Sequence, residues 1–179
     1  MDLRVKRTKK NINEAFYELR KKKKLEKISV KELSEMAMIN KATFYLHYND
    51  IYDLSDKLEL DLIDNIIGSV RGVNPFNSRE DMVRFAEQLS NSIIRHSADI
   101  ETLFSGHESN SFIYHLEDRL RQYLFATAPR SWDSPENNIL LSFMVQGAYH
   151  AHLRNRSFGA DMLKKTTMSL FGKLFEEIT

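Results

Sequence analysis

The residues best suited to chemistry lie between Lys41 and Tyr48, where the sequence runs KATFYLHY. Three aromatic rings in so short a stretch are usually part of a protein core. A helix completes a turn in about 3.6 residues, so these side chains cannot all face the same way. Phe44 and Tyr48 are one turn apart and are expected to face the core, which leaves an aromatic and polar surface pointing outward.

The outward-facing side chains are of the kinds that contact nucleic acids. A lysine can bind guanine edges or phosphate, and small alanine and threonine side chains allow a close approach. Tyrosine and histidine can donate to phosphate oxygens. The alternative, in which Tyr45 and His47 are half-buried against the following helix, stays open. The candidate contact residues here are Lys41, Ala42, Thr43, Tyr45, Leu46 and His47.

Catalytic and metal-binding patterns are weak in the rest of the chain. His150 and His152 are two residues apart and therefore diverge on a helix. The pair His107–Glu108 lacks the second histidine of a zinc-protease motif, because residue 111 is a serine. The six glycines are scattered and form no phosphate-binding loop. We therefore expect no enzyme, no metal site and no cofactor.

Positive charge is concentrated in the first part of the chain. Residues 1–48 hold 13 Lys and Arg against 6 Asp and Glu, a net charge of +7, whereas the remaining residues hold 13 against 19, a net charge of −6. A basic module suits a nucleic acid or another anionic surface, because neutralising phosphates releases counterions. The alternative is that the lysines only solvate helix surfaces.

The composition indicates an ordinary globular protein of one or two domains, with 179 residues of which 42% are hydrophobic. The chain has no cysteine, so it has no disulfide framework and no thiolate metal site. It has no signal-peptide-like start, and no run approaches the roughly 18 apolar residues of a membrane span. We expect a cytoplasmic protein with no membrane partner.

Hydrophobic periodicity predicts an all-α fold of about nine helices. The three prolines fall in apparent joints, and no segment alternates convincingly as a strand does. The first predicted helix covers about residues 3–24, with an apolar stripe formed by Ile12, Ala15, Phe16 and Leu19.

Capping signals place two short helices around a tight turn. Ser29 and Glu32 form a capping box at the start of one helix, and Asn40 caps the next helix after a turn at Met38–Ile39. Asp50 marks a further helix start near residue 51. Two short helices joined in this way, within a basic segment, favour a helix-turn-helix.

The segment ISVKELSEMAMINKATFYLHYNDIYDL, residues 28–54, resembles the DNA-binding domain of TetR-family transcriptional regulators. The family run is a small residue, Thr, Leu or Phe, Tyr, any residue, His or Tyr, and Phe. The matching residues are Ala42, Thr43, Phe44, Tyr45, Leu46, His47 and Tyr48. With less detail, the resemblance extends over residues 4–60. It implies a three-helix DNA-binding domain, residues 1–50, and a helical ligand-binding and dimerisation domain, residues 51–179.

The resemblance also implies roles for individual residues. Thr43, Tyr45 and His47 would contact the DNA backbone or base edges. Lys41 and Ala42 would lie at the tip of the recognition helix.

Further DNA contacts are implied outside this helix. Ser29 would contact phosphate at the start of the preceding helix. The run Lys21–Lys24 is interpreted as a solvated helix end, with long-range attraction to DNA as the alternative. Basic residues early in the first helix are candidates for backbone or minor-groove contact, as the family's N-terminal arms suggest, in particular Arg4, Lys6 and Arg7.

The chain departs from the family pattern at three places. Met38 stands where the turn often has Gly, so either a left-handed conformation costs roughly 1 kcal/mol or the turn is different. Ile51 stands where a phosphate-binding Lys is frequent, and it is expected to pack instead. Lys21–Lys24 replaces the usual Gly after the first helix.

The resemblance implies that the remaining helices regulate and dimerise the protein. Members of the TetR family generally pair through their last two helices, and a twofold dimer matches an inverted-repeat operator. The alternative is that the apolar residues of these helices fill the protomer's own core. Candidate interface residues are Phe143, Met144, Gly147, Met168, Phe171 and Phe175.

The same resemblance implies a repressor that a small-molecule effector releases from its operator. An effector pocket would lie between the middle helices, although aromatic residues at helical spacing are commonly core. Candidate pocket residues are Phe85, His96, Phe104, His107, Phe112, His115 and Tyr123.

The main alternative to a DNA-binding regulator is a helical interaction protein. Its basic first helix would bind an anionic membrane surface or an acidic partner. Glu14 and Glu18 in that helix, and the capped helices that follow it, argue against this interpretation. Salt-sensitive, sequence-selective binding to duplex DNA would separate the two.

Overall fold

The computed structural model describes residues 3–73, 75, 78–105, 111–127 and 133–178, apart from the side chains of residues 127 and 175–178. In these ranges the backbone forms nine α-helices and no β-strand, which confirms the predicted all-α fold. Short 3-10 turns cover Leu25–Lys27 and Arg156–Phe158. The helices are α1 (Leu3–Arg20), α2 (Val30–Met36), α3 (Lys41–Tyr45), α4 (Ile51–Gly68), α5 (Arg79–Arg95), α6 (Ser97–Leu103), α7 (Ser111–Thr127), α8 (Pro135–Arg154) and α9 (Ala160–Ile178).

The helices divide between two compact units. The first unit contains the described residues of Met1–Leu62 and Ser97–Ser109, and therefore α1, α2, α3, α6 and the first part of α4. The second contains the described residues of Ile63–His96 and Asn110–Thr179. Helix α6 thus belongs to the unit that carries α2 and α3, although it lies far from them in the sequence.

The first unit is built on the apolar stripe that the sequence predicts for α1. Ile12 and Phe16 are fully buried, and Ala15 and Leu19 are almost so. Burying one such large side chain contributes about 1.5–3 kcal/mol relative to leaving it in water. Other helices of this unit add the buried side chains of Leu33, Phe44, Leu54 and Leu103.

Helix α1 ends at Arg20, so the predicted end near residue 24 is wrong. The amides of Lys22 and Lys23 both bond to the carbonyl of Leu19, at 3.0 and 2.9 Å, and the chain then enters a 3-10 turn. Four consecutive exposed ammonium groups repel one another and bury nothing. No packing therefore holds this run in a helix.

The side chain of Arg20 joins the end of α1 to the end of α6. Arg20 is only 5% exposed, and burial lowers the pKa of its guanidinium. The guanidinium donates to the carbonyl of Leu103 at 3.0 Å, to the carbonyl and hydroxyl of Ser105 at 3.2 and 3.0 Å, and to the carbonyl of Lys23 at 3.2 Å. Leu103 ends α6, where carbonyls lack helical partners and the helix dipole favours a cation.

In the second unit α9 packs along α5, and α8 packs against α7 and α9. Lys164 of α9 lies 2.7 Å from the carboxylate of Glu87 on α5. Gly172 of α9 is buried, and a Cβ there would lie 2.9 Å from the guanidinium of Arg79. Because Gly172 has no side chain, the guanidinium of Arg79 can pack against α9 at this position.

A buried carboxylate connects α7 to α8. Glu117 is 8% exposed and accepts hydrogen bonds from Arg121, Ser142 and Gln146, the first and last at 2.8 Å. Three donors offset the cost of removing this carboxylate from water. The network fixes which residues of α7 and α8 face each other.

Candidate nucleic-acid interface

Helices α2 and α3 begin at the side-chain caps that the sequence predicts. The Ser29 hydroxyl accepts from the Glu32 amide at 3.2 Å. The Asn40 side chain accepts from the Thr43 amide at 2.7 Å and from the Thr43 hydroxyl at 2.9 Å. The Glu32 carboxylate binds Lys23 instead of the Ser29 amide, so only one half of the predicted capping box forms. Both helix starts are nevertheless fixed by local side chains.

The turn between α2 and α3 contains a methionine in the left-handed conformation. Met38 has φ of +55°, which is the strained alternative of the two that the sequence predicts. The Met38 amide bonds to the Glu35 carbonyl at 3.2 Å and the Ile39 amide to the Ser34 carbonyl at 3.0 Å, as in a Schellman motif. The conformation costs about 1–2 kcal/mol for a residue with a Cβ. Because Met38 is 92% exposed, packing of its side chain offsets little of this conformational cost.

Helix α3 buries one face, as predicted. Phe44 is fully buried and Tyr48 is 6% exposed, and their ring centres lie 5.6 Å apart. Ile51, at the start of α4, is also buried, which confirms that it packs. These three side chains anchor the short helix to its unit.

The opposite face of α3 is open to solvent. Tyr45 is 56% exposed and Leu46 is 81% exposed. None of the ion pairs among the described residues involves the exposed Lys41. Ala42 is exposed as well, whereas Thr43 and His47 are half-buried. Four of the six candidate residues are therefore exposed to solvent, and the other two are half-buried.

Tyr48 connects the end of α3 to α1 and α4. Its hydroxyl donates to Oδ1 of Asn13 at 3.2 Å, and the Lys57 ammonium lies 5.2 Å from its ring centre. Burial, followed by the charges of Asp61 and Asp53, raises the pKa of Tyr48. The Tyr48 hydroxyl therefore stays protonated to a higher pH than that of an exposed tyrosine.

The start of α4 is fixed by two hydrogen bonds from backbone amides to carboxylates. The Asp53 amide donates to Oδ1 of Asp50 and the Asn49 amide donates to Oδ2 of Asp53, both at 2.8 Å. The pKa of the Asp53 carboxyl is lowered by its hydrogen bonds from Lys57 and the Asn49 amide. These two hydrogen bonds fix the residue at which α4 begins after α3.

The other candidate DNA contacts are exposed on α1 and at the start of α2. Arg4, Lys6 and Arg7 are exposed in the first two turns of α1. The exposed Ser29 hydroxyl accepts from an amide and keeps its own proton for a further acceptor. All four side chains lie at the surface, where an external phosphate is accessible to them.

The run Lys21–Lys24 lies beyond the end of α1 and is exposed throughout. Lys21 pairs with Glu18 at 2.8 Å, and Lys23 pairs with Glu32. Their exposure agrees with the prediction that these lysines are solvated at the end of the helix. Their contribution to any DNA attraction stays a prediction.

A groove beside α1 was not foreseen from the sequence. It has a volume of about 840 Å³ and lies between α1 and the start of α6, where Asp99 lines it. Burial, followed by the charges of Asp99 and Asp61, raises the pKa of Tyr17 in this groove to about 12. Its other charged lining residues are Lys6, Lys9, Lys10, Glu14, Glu18 and Lys21. The signal that could have found it is the spacing of these residues along one helix face.

The predicted effector-pocket residues are distributed over both units. Phe104 is buried in the first unit, and the other described candidates belong to the second. Phe85 and Phe112 are buried, and the Tyr123 hydroxyl donates to the Val70 carbonyl at 3.4 Å. His96 is half-buried, His115 is exposed, and His107 lies outside the described residues. The effector pocket stays a prediction.

The predicted dimer residues lie on α8 and α9 of the second unit. Phe143 is 66% exposed and Gly147 is also exposed. Met144, Met168 and Phe171 are half-buried, and the side chain of Phe175 lies outside the described residues. The same helices expose the apolar side chains of Ile139, Leu153, Met162 and Leu170.

Comparisons of the chain with protein-family models, with curated proteins and with solved structures give no match. Within the described ranges, no helix combines the length and the apolar character needed to cross a bilayer.

Proposed function

We propose that this chain is a sequence-specific, DNA-binding transcriptional regulator of the TetR type. The supporting observation is the exposed surface of α3, where Lys41, Ala42, Tyr45 and Leu46 are accessible while Phe44 and Tyr48 hold the helix from behind. A short helix presented in this way after a tight turn is the arrangement with which helix-turn-helix proteins enter the major groove.

The chemistry of this surface supports duplex DNA as the partner. The Lys41 ammonium can donate to the O6 and N7 atoms of guanine, and the Tyr45 hydroxyl can donate to a phosphate oxygen. Arg4, Lys6 and Arg7 would contact the backbone or the minor groove. The net charge of +7 over residues 1–48 supports binding to a polyanion of any sequence, so base selectivity is assigned to α3.

A homodimer completes the proposed function. The exposed apolar side chains on α8 and α9, such as Ile139, Phe143 and Met162, support pairing through these helices. Twofold pairing would present two α3 helices to an inverted repeat. By family analogy the dimer acts in the cytoplasm as a repressor, and a small effector bound in the second unit releases it from DNA.

The test is selection of duplexes by the purified protein from a random library at near-physiological salt. Enrichment of an inverted repeat is expected, because two symmetry-related α3 helices would contact the two half-sites. Salt-labile binding to all duplexes and to anionic vesicles alike, without enrichment, would favour the basic interaction protein instead.

A matched pair of variants assigns the binding to α3. Lys41→Ala removes one exposed cationic side chain from the proposed surface, and Arg95→Ala removes one from the last turn of α5, outside the proposed DNA-binding and dimer surfaces. The proposal predicts that selection by Lys41→Ala loses preference at one position of each half-site. Selection by Arg95→Ala should return the wild-type operator.

A further inference from the structure

An apolar row runs along the exposed face of α3. Ala42 and Leu46 are four residues apart, and the Leu46 amide bonds to the Ala42 carbonyl at 3.2 Å, so their side chains are neighbours on one helical turn. Leu46 is 81% exposed. If α3 contacts DNA as proposed, these two side chains would be removed from water by packing against apolar groups of the DNA.

The fold itself gains little from a leucine at this position. Leu46 is the C-cap residue of α3, with φ of −70° and ψ of −17°, a conformation that most residues adopt. Its side chain is in water, and the interior of this part of the unit is filled by Phe44 and Tyr48. An isolated exposed leucine is ordinary in proteins, but this one adjoins an exposed alanine on the helix proposed to enter DNA.

Charge restricts the class of partner. Lys41 precedes Ala42 directly, and residues 1–48 carry a net charge of +7. A neutral apolar surface on a protein would not be attracted by this positive charge. The major groove of DNA presents apolar groups and is surrounded by the negative charges of the phosphates. Those apolar groups are the C5 methyls of thymine, which small and branched aliphatic side chains contact.

We propose that Leu46 and Ala42 contact thymine methyl groups, so that each half-site carries thymines next to the base pair that Lys41 contacts. The proposal rests on the proposed function and adds the chemistry by which α3 selects its sequence. Leu46 and Ala42 are the specificity-determining residues of this row, and Lys41 supplies the polar contact beside it.

The test replaces single thymines of the selected operator by deoxyuridine, which removes the C5 methyl and leaves the base-pairing and groove hydrogen-bonding groups unchanged. At the contacted positions the wild-type protein should bind the deoxyuridine operator about fourfold more weakly, the effect of one buried methyl-sized group. In Leu46→Ala the affinity for the thymine operator should fall, and the penalty for deoxyuridine at the Leu46 position should vanish.

Met38→Ala is the matched control, because Met38 is also an exposed apolar residue but lies in the turn before α3 and outside the row formed by Ala42 and Leu46. It should keep the full deoxyuridine penalty. A wild-type protein that selects an operator yet binds its thymine and deoxyuridine forms equally would overturn the inference while leaving the proposed function intact. A penalty that persists unchanged in Leu46→Ala would likewise overturn it. Absence of any selected operator would overturn the proposed function, and this inference with it.

Discussion

The hydroxyl of Tyr48 donates a hydrogen bond to Oδ1 of Asn13 at 3.2 Å, across 35 residues of sequence. This bond connects the residues that follow α3 to α1. Tyr48→Phe keeps the buried ring and removes only the hydroxyl, so it should lower the free energy of unfolding by about 1 kcal/mol. Urea unfolding followed by circular dichroism measures the change. Tyr52→Phe, at an exposed tyrosine, is the control and should be neutral. Equal losses in both variants would contradict a specific role for the Tyr48 hydroxyl.

Met38→Gly should stabilise the protein. Glycine adopts the left-handed conformation of this turn without steric cost, and the exposed methionine side chain gives up little packing. After allowing for the greater freedom of glycine in the unfolded chain, we expect a gain of about 0.5 kcal/mol. Thermal unfolding of the two proteins checks it.

Met36→Gly is the matched control for the turn, because Met36 is exposed in the last turn of α2 and has a helical conformation. It should be destabilising by about 0.5–1 kcal/mol. If both glycine variants lost stability equally, the left-handed strain assigned to Met38 would be absent.

Arg20→Met should be strongly destabilising. The substitution keeps an unbranched apolar side chain but leaves the carbonyls of Leu103 and Ser105 without their buried donor. Charged hydrogen bonds are worth about 1.5–3 kcal/mol each in net terms, so a total loss of about 3 kcal/mol is expected. Lys22→Met, two residues further on at an exposed lysine, should change stability by less than about 0.5 kcal/mol. Similar urea midpoints for the two variants would show that Arg20 does not hold α6.

Stability should fall with rising pH through the titration of Tyr17. The folded protein raises the pKa of this phenol from 10.0 to about 12, so the folded state retains a proton that the unfolded state loses. The contribution is fully present below about pH 10 and is lost as the pH rises through the folded value of about 12. The measurable quantity is the difference in unfolding free energy between wild type and Tyr17→Phe. As the pH rises through this window, wild type should lose stability relative to Tyr17→Phe. A difference that stays constant with pH would contradict the raised pKa of Tyr17.

The parts of the fold that follow from short-range sequence signals could be predicted. The caps at Ser29 and Asn40 act on amides three residues away, so their helix starts are visible in the sequence. The burial of Phe44 and Tyr48 follows from helical spacing in the same way. In the candidate site, these rules separated the core side of α3 from its exposed side.

Contacts between distant segments could not be predicted in this way. The bonds of Arg20 to Leu103 and Ser105 depend on how α6 approaches α1, and no local pattern encodes that approach. The end of α1 was misplaced for a related reason, because four lysines have good intrinsic helix propensity but bury nothing that would hold them helical. The conformation of Met38 could not be predicted either, because a strain of about 1–2 kcal/mol is small enough for the rest of the fold to impose it.

Lys41→Ala should reduce selectivity more than general affinity for DNA. Losing a base contact costs about 1–3 kcal/mol at one position of each half-site, whereas binding to unrelated duplexes should fall only slightly. Lys41→Ala and its control, Arg95→Ala, are each titrated against the operator and against a scrambled duplex. The two titrations measure the loss of selectivity and the loss of general affinity separately. Arg95→Ala should leave both affinities at wild-type values. Equal weakening of both duplexes by Lys41→Ala would reassign Lys41 to the phosphate backbone.

We propose that this chain recognises a DNA sequence through α3. The most direct measurement is the ratio of dissociation constants for a scrambled duplex and for the inverted repeat obtained by selection, at one near-physiological salt concentration. Recognition through α3 predicts a ratio of at least about 10³, typical of specific protein–DNA complexes, and a marked fall of that ratio in Lys41→Ala. A ratio near one, with both duplexes released together as salt increases, would contradict it.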